Sequence, residues 1–362
     1  MISPIIIEVF LFVVGLLCLV KGGDWFVDGA CGIAHRFNMP EILIGATVVS
    51  IGTTIPEVMV SSTAALTAGA SDMAYGNAIG SIICNTALIA AVTMTFRPAA
   101  VEKQSLKLPI AFFFGAAALY IGVAYATGFF SRTVGVILLA IFAAYMILCV
   151  KQALAAKNGN DRSVRIDGTE ESADAIGLTE TPVNPDDTRM TDDYVENVLR
   201  PQQNETKELA LNIGRLILGA AVIAVGAHLL VDNGTLIAEA AGIPQSVIAL
   251  TFVALGTSLP ELVTAITALI KGHSDLSLGN VIGANLFNLV LVSGLAVTLA
   301  PFHIPVEKTI AGVNASLVVD IPVMVAVMLI MCLPALIKGR IYRAQGVTLL
   351  AIYAAYVVFQ FV

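Results

Sequence analysis

Apolar runs long enough to cross about 30 Å of hydrocarbon recur along the whole chain. They predict ten helices, which in the first half cover 4–32, 41–67, 73–95, 107–126 and 131–150. In the second half they cover 209–238, 244–270, 275–300, 313–337 and 345–362. Between the halves, residues 152–207 lack sustained apolar periodicity and carry Asp186, Asp187, Asp192, Asp193, Pro182, Pro185 and Pro201. The pattern divides the chain into a five-helix unit (1–151), an acidic linker expected to be disordered (152–207), and a second five-helix unit (208–362). The predicted fold class is an all-α polytopic membrane protein.

Composition strengthens that reading. Hydrophobic residues make up 57% of the chain and charged residues 12%, against about 25% charged in a soluble globular protein. The mean hydropathy is +0.89. The net charge of −7 comes largely from the segment between Asp161 and Glu208, which holds half of the acidic residues. Such acidity argues against a nucleic-acid partner, which calls for basic patches. Cys18, Cys31, Cys84, Cys149 and Cys332 are scattered through apolar stretches without CxxC spacing. They read as small core residues, not as disulfides or a metal site. The apolar run from Ile5 to Val20 has no basic residue ahead of it, so it is expected to be a retained first span.

Loop charges give the orientation, since cytoplasmic loops carry an excess of Lys and Arg. Loops on one side hold Arg36, then Arg97, Lys103 and Lys107, then Lys151 onward, Lys271, and finally Lys338, Arg340 and Arg343. The other side holds little beyond Arg132 and Lys308. Both termini are expected outside, with 152–207 in the cytoplasm of a prokaryotic cell.

The two halves also repeat each other. "GATVVSIGTTIPEVMVSS" begins at Gly45, and "ALTFVALGTSLPELVTAI" begins 204 positions later at Ala249. Glu57 thereby matches Glu261, Pro56 matches Pro260 and Thr53 matches Thr257. Downstream, "GNAIGSIICN" from Gly76 matches "GNVIGANLFN" from Gly279, and upstream Gly22 matches Gly226 and Asp28 matches Asp232. Five spans per half is an odd number, so the second half enters the membrane upside down. Inverted repeats of this kind belong to secondary transporters, with a site near the midplane where the halves meet.

The repeated motif carries the candidate chemistry. Each copy puts a glutamate mid-span, where an ionisable group costs at least about 2.5 kcal/mol to insert. No Lys or Arg lies in either motif to pair with it. Pro56 and Pro260 each lack an N–H and crowd the carbonyl one turn back, at Gly52 and Gly256. Unwound backbone is therefore expected near Gly52–Thr53 and Gly256–Thr257, and at that depth it is tolerated only beside a cavity or site. Thr53 shares a helix face with Glu57, and Thr257 with Glu261. Carboxylates, carbonyls and hydroxyls form an all-oxygen shell suited to a hard cation, Ca²⁺ above all. Two negative charges balance one Ca²⁺ or two monovalent ions, and that competition is a physical basis for exchange.

The second block adds Gly76, Gly80, Gly279 and Gly283, which let membrane helices approach closely. Asn85 and Asn288 end the block at equivalent positions, where their amide oxygens can join a coordination sphere. Asp24, Asp28, His228 and Asp232 are expected near the outer ends of helices one and six, capped or paired at the interface. His35, His273 and His303 read as loop residues without partners.

The two "G-T-[TS]-[IL]-P-E" segments, each followed by "G-N-x-[IV]-G-[SA]", resemble the alpha repeats of the calcium/cation antiporter superfamily, and most nearly its prokaryotic sodium/calcium exchangers. The resemblance spans nearly everything outside 152–207. It implies that helices two, three, seven and eight surround a diamond of ion sites, with helices one and six as a sliding pair. By motif position it makes Glu57 and Glu261 the shared calcium and sodium ligands, with backbone carbonyls of Thr53 and Thr257 completing the calcium site. Thr54, Ser258 and Ser81, with backbone oxygens of Ser50 and Ala254, would line flanking sodium sites, and Asn85 and Asn288 would face the centre. Two positions depart from the pattern. Some prokaryotic exchangers carry aspartate where this chain has Asn288, and the usual serine of the second block is Ala284.

Sodium-driven calcium exchange by alternating access is the expected function, with Ca²⁺ and Na⁺ as transported ions, no cofactor and no obligate protein partner beyond the bilayer. Coupling to protons is the near alternative, because two neighbouring carboxylates can take up protons in place of sodium. A passive cation channel is also lined by carboxylates, but duplication and broken helices favour alternating access. An intramembrane hydrolase lacks a nucleophile or zinc-ligand cluster beside the glutamates, so no enzyme is expected.

Overall fold

A computed structural model describes residues 4–37, 39–66, 71–174, 189–240, 256–305, 309–310 and 312–361. Ala254, and the start of the helix expected at 244, lie outside the described residues. The chain is mostly helical. In order it forms α1 (Pro4–Arg36), α2 (Glu41–Leu66), and α3, which runs from Ser71–Cys84 through a π-helical turn at Asn85–Ala90 into Ala91–Phe96. Then follow α4 (Lys103–Thr127), α5 (Arg132–Asp174) and α6 (Arg189–Ala240). The remainder is α7 (Leu259–Lys271), α8 (Ser274–Leu299), α9 (Ser316–Lys338) and α10 (Arg343–Phe361).

Among the described residues, eight helices are long and apolar enough to cross a membrane: α1 to α6, α8 and α9. The expected span over 244–270 is described only from Gly256, and α10 carries Arg343, Gln345 and Gln360 at its ends, which lower its hydropathy. Helix α5 continues past 151 to Asp174 and α6 starts at Arg189, well before 208. The stretch 152–174 contains no proline, although Gly159 and Gly168 weaken it; Pro182 and Pro185 fall outside the described residues.

Burial separates centre from periphery. In α8 and α3, 83% and 72% of the most apolar window is buried, against 22% for α1, α5 and α6. A large apolar core joins α2, α3, α4, α5, α8, α9 and α10, including Ile82, Phe113, Tyr120, Tyr145, Phe287 and Met328. A second cluster joins α1 and α6 through Phe26, Val27, Ala30 and Ile223, and reaches Ile44, Val49 and Leu276.

Glycines set the closest crossings. On α1, Gly15, Gly22 and Gly29 face α6 at Gly226, Gly219–Ile223 and Asn212–Leu216, an order that makes the pair antiparallel. On α8, Gly279 abuts the Ile42 carbonyl and Gly283 abuts Ala46 and Ser50 of α2. Both sequence numbers rise together there, so α2 and α8 run in the same direction. Helix α3 turns back on α2, for Asn77 near its start meets Glu57 and Ser61. The duplicated helices α3 and α8 therefore run opposite to one another beside α2.

The loops gather on two faces. On one, Arg97 Nη1 donates to Leu269 O at 2.6 Å, Lys103 Nζ to Ile337 O at 2.7 Å, and Ile341 N to Ala99 O at 3.0 Å. His273 Nδ1 lies 2.8 Å from Glu41 Oε1 on the same face. Helix α7 stops there at Gly272, whose φ of 91° favours glycine. On the other face, β1 (Phe129–Phe130) pairs antiparallel with β2 (Phe302–His303), and Ile304 N donates to Gly128 O at 2.9 Å. A hairpin of β3 (Thr309–Ile310) and β4 (Val313–Asn314) follows in the same loop. The loops that carry Arg97, Lys103, Lys271 and Arg340 thus share a face.

Three polar expectations need correction. His273 is paired with Glu41, and the His303 ring lies 4.7 Å from that of Phe129. Asp24 and Asp28 sit at the end of α1 that meets the basic loops, where Lys271 Nζ reaches them at 3.3 and 2.7 Å. The partners of Glu41 and the two aspartates come from 232–247 residues away along the chain, which loop spacing cannot reveal.

Candidate ion-binding site

Glu57 lies on α2 and Glu261 in the first turn of α7, and both side chains are completely buried. They are close enough to repel each other electrostatically. None of their four carboxylate oxygens has a hydrogen-bond partner among the described residues, and neither do Thr54 Oγ1, Ser258 Oγ or the amide atoms of Asn85 and Asn288. Leaving so many buried polar groups unpaired is costly, several kcal/mol for an ion. The donors are two carboxylates, two amides and two hydroxyls. Oxygen ligands of that number and flexibility suit a hard cation, and Ca²⁺ takes 6–8 of them.

The proline motifs shape the two halves differently. Helix α2 passes through Pro56 without unwinding, contrary to the expectation at Gly52–Thr53. A π-helical turn at Gly45–Val49 precedes it instead, and Ser50 Oγ donates to Gly45 O at 2.7 Å across that turn. Pro56 removes one hydrogen bond without breaking the helix. In the second copy the chain does turn at Thr257–Ser258, and α7 begins at Leu259 with Pro260 in its first turn. Proline is well tolerated there because its missing N–H has no partner to lose.

The remaining predicted residues fall as follows. Ser50, Thr53, Thr54 and Ser81 are buried on α2 and α3, and Ser258 is buried just ahead of α7. Thr257 is half-buried. Asn85 and Asn288 each open a π-helical turn, Asn85–Ala90 in α3 and Asn288–Val292 in α8. Such turns widen a helix and recur at functional sites.

Two residues at the site were not singled out from the sequence. Asn280 accepts at Oδ1 from Thr53 Oγ1 at 3.3 Å and from Ser50 Oγ at 3.3 Å. Asn77 accepts at Oδ1 from Thr257 Oγ1 at 3.4 Å, while its Nδ2 donates to Glu57 O at 3.2 Å and Ser61 Oγ at 2.8 Å. Their signal was present, since "GN" opens both copies of the second block. Asn285 is a further buried amide, donating to Thr86 Oγ1 at 2.6 Å.

Long apolar helices around a buried acidic centre are the anatomy of an integral membrane transporter. The family described as sodium/calcium exchanger protein matches residues 7–151 and 211–362, and the chain belongs to it. It is 32% identical to the sodium/calcium exchanger MaX1 of Methanosarcina acetivorans, over 99% of each chain. It is 35% identical to the inner membrane protein YrbG of Escherichia coli, over 81% of this chain and 80% of that one. The structure of the sodium–calcium exchanger NCX_Mj, soaked with zero Na⁺ and Ca²⁺, superposes with a TM-score of 0.72 at 30% identity. That match covers 98% of this chain and 99% of the other. The family is one of exchangers, and its membership supports calcium antiport rather than enzymatic catalysis.

Proposed function

We propose that the chain exchanges Ca²⁺ for Na⁺ by alternating access, with Glu57 and Glu261 as the ligands the two ions share. The carrying observation is the pair of buried carboxylates with no partner among the described residues. One Ca²⁺ or two Na⁺ neutralise them, so each cargo displaces the other. Thr53, Thr257, Asn85 and Asn288 complete the central position, and Thr54, Ser258, Ser81, Ser50 and Ala254 line the flanking ones. Ten spans in two inverted halves follow from the duplication, and the opposed directions of α3 and α8 beside α2 support that arrangement. Helices α1 and α6, packed on each other through Phe26, Val27, Ala30 and Ile223, are the pair that moves. The face carrying Arg97, Lys103 and Lys271 is the cytoplasmic one, and both termini lie opposite.

Proton coupling is the second reading, and one position favours it. Ala284, completely buried on α8, stands where the matching position of the first half has Ser81. One flanking site therefore lacks a hydroxyl that a sodium ion would use. Proteoliposomes decide between the two. ⁴⁵Ca²⁺ uptake that requires internal Na⁺ supports the exchanger reading, whereas uptake driven by an outward proton gradient without Na⁺ replaces the driving ion. Uptake with no counter-ion at all would mark a channel and overturn both.

A further inference from the structure

We propose that Cys31, Glu41 and His273 form a binding site for a Zn²⁺-class ion, separate from the central carboxylates, that ties α1 to the start of α2 and α8. Cys31 Sγ, a carboxylate oxygen of Glu41 and a ring nitrogen of His273 all lie within 4.8 Å of one another. The three come from three separate segments: the last turns of α1, the first residue of α2, and the residue joining α7 to α8. Cys31 is 7% exposed and belongs to the apolar cluster of α1 and α6. The Glu41 and His273 side chains are 25% and 28% exposed, so an ion can reach them from the loop face.

The donor chemistry is selective. Thiolate, imidazole and carboxylate are the usual ligands of zinc, which takes three from the protein and leaves a fourth position to water at sites open to solvent. Calcium wants six to eight oxygens and no sulfur, so this is not a second copy of the cargo site. Zinc–ligand bonds of about 2.0–2.3 Å place ligand atoms roughly 3.3–3.8 Å apart, inside the 4.8 Å envelope. The Glu41–His273 pair at 2.8 Å needs to open by less than about 1 Å.

A second, independent feature points the same way. Asp275 lies two residues beyond His273 on α8, and its Oδ1 is shielded from solvent without a hydrogen-bond partner among the described residues. Lys271, the cation of this loop, is already engaged by Asp28 at 2.7 Å and Asp24 at 3.3 Å.

The consequence for transport rests on the exchanger reading; the binding itself does not. A metal held by α1 on one side and by α2 and α8 on the other pins the α1–α6 pair to the core, so it arrests any cycle in which that pair slides.

The full-length chain, purified in detergent and stripped with chelator, is titrated with Co²⁺ and then Zn²⁺. The expected result is a thiolate-to-cobalt charge-transfer band that Zn²⁺ abolishes and that is missing from a folded Cys31→Ala variant. In His273→Ala the affinity falls by more than the roughly 10–100-fold that loss of an outer-shell partner costs. No band, or a band that survives Cys31→Ala, overturns the site. In proteoliposomes, Zn²⁺ on the basic-loop face slows ⁴⁵Ca²⁺ exchange at least about tenfold in wild type. Each variant is compared with its own zinc-free rate, and the Cys31→Ala ratio stays near one. A band without inhibition overturns the clamp, and a chain that moves no calcium fails the exchanger reading while the cobalt band still decides the site.

Discussion

The Thr53 hydroxyl on α2 donates to Oδ1 of Asn280 on α8 at 3.3 Å, a bond that joins residues 227 positions apart. The matching residues of the other half make the matching bond, Thr257 to Asn77 at 3.4 Å. Each asparagine therefore holds the threonine that precedes the opposite half's glutamate by one helical turn. Substituting Asn280→Ala leaves the buried Thr53 hydroxyl with only the Ser50 carbonyl at 3.5 Å, at about 1–3 kcal/mol, while Ser50 keeps the Gly45 carbonyl as its acceptor. The expected outcome is a folded but less stable protein with weakened calcium affinity, read by thermal melts and ⁴⁵Ca²⁺ binding.

Much of this site was legible in the sequence, because duplication flags chemistry that a single copy would leave ambiguous. Glu57 and Glu261 stand out as unpaired charges in apolar runs, and both prove to be buried without partners among the described residues. The supporting asparagines were overlooked because glycines dominated the second block, although Asn77 and Asn280 repeat as faithfully as Asn85 and Asn288. The continuity of α2 through Pro56 was not legible, since an internal proline is compatible with either a continuous helix or a break. Neither was the His273–Glu41 pair, which depends on how distant loops meet.

Two like charges buried together destabilise the ion-free protein. Glu57→Gln removes one of them, so its melting temperature in calcium-free buffer stays at or above that of wild type. Calcium at 100 times its dissociation constant stabilises a protein by about 2.7 kcal/mol, and the variant loses that upward shift. A melt that shifts equally in both proteins contradicts the shared-ligand role.

Close packing between α2 and α8 leaves no room at Gly279, where a Cβ would collide with the Ile42 carbonyl. Backbone cannot swing aside as a side chain can. Gly279→Ala is expected to cost about 1–3 kcal/mol through overpacking, measured as a lower melting temperature in detergent.

Lys271 lies just past the expected span at the basic-loop face. Burial pulls its ammonium pKa down, but Asp28 and Asp24 outweigh that and hold it above the ordinary lysine value. A raised pKa means the pair's contribution is complete at neutral pH and fades only as pH climbs through that raised value. The side chains are 25–48% exposed, so Lys271→Ala is expected to cost about 0–1 kcal/mol, less at high salt. Melts at low and high ionic strength check both statements.

Restoring a hydroxyl at the flanking position tests the coupling ion. Ala284→Ser adds the oxygen that Ser81 supplies in the other half. Its expected effect is a lower sodium concentration for half-maximal exchange, with calcium affinity little altered, read from sodium titrations of ⁴⁵Ca²⁺ uptake.

The central claim is that two buried glutamates hold the transported cation. ⁴⁵Ca²⁺ uptake into sodium-loaded proteoliposomes, compared among wild type, Glu57→Gln and Glu261→Gln at equal amounts of folded protein, tests it most directly. Uptake in wild type and background counts in both variants is the predicted result. Substantial uptake by either folded variant would contradict the account.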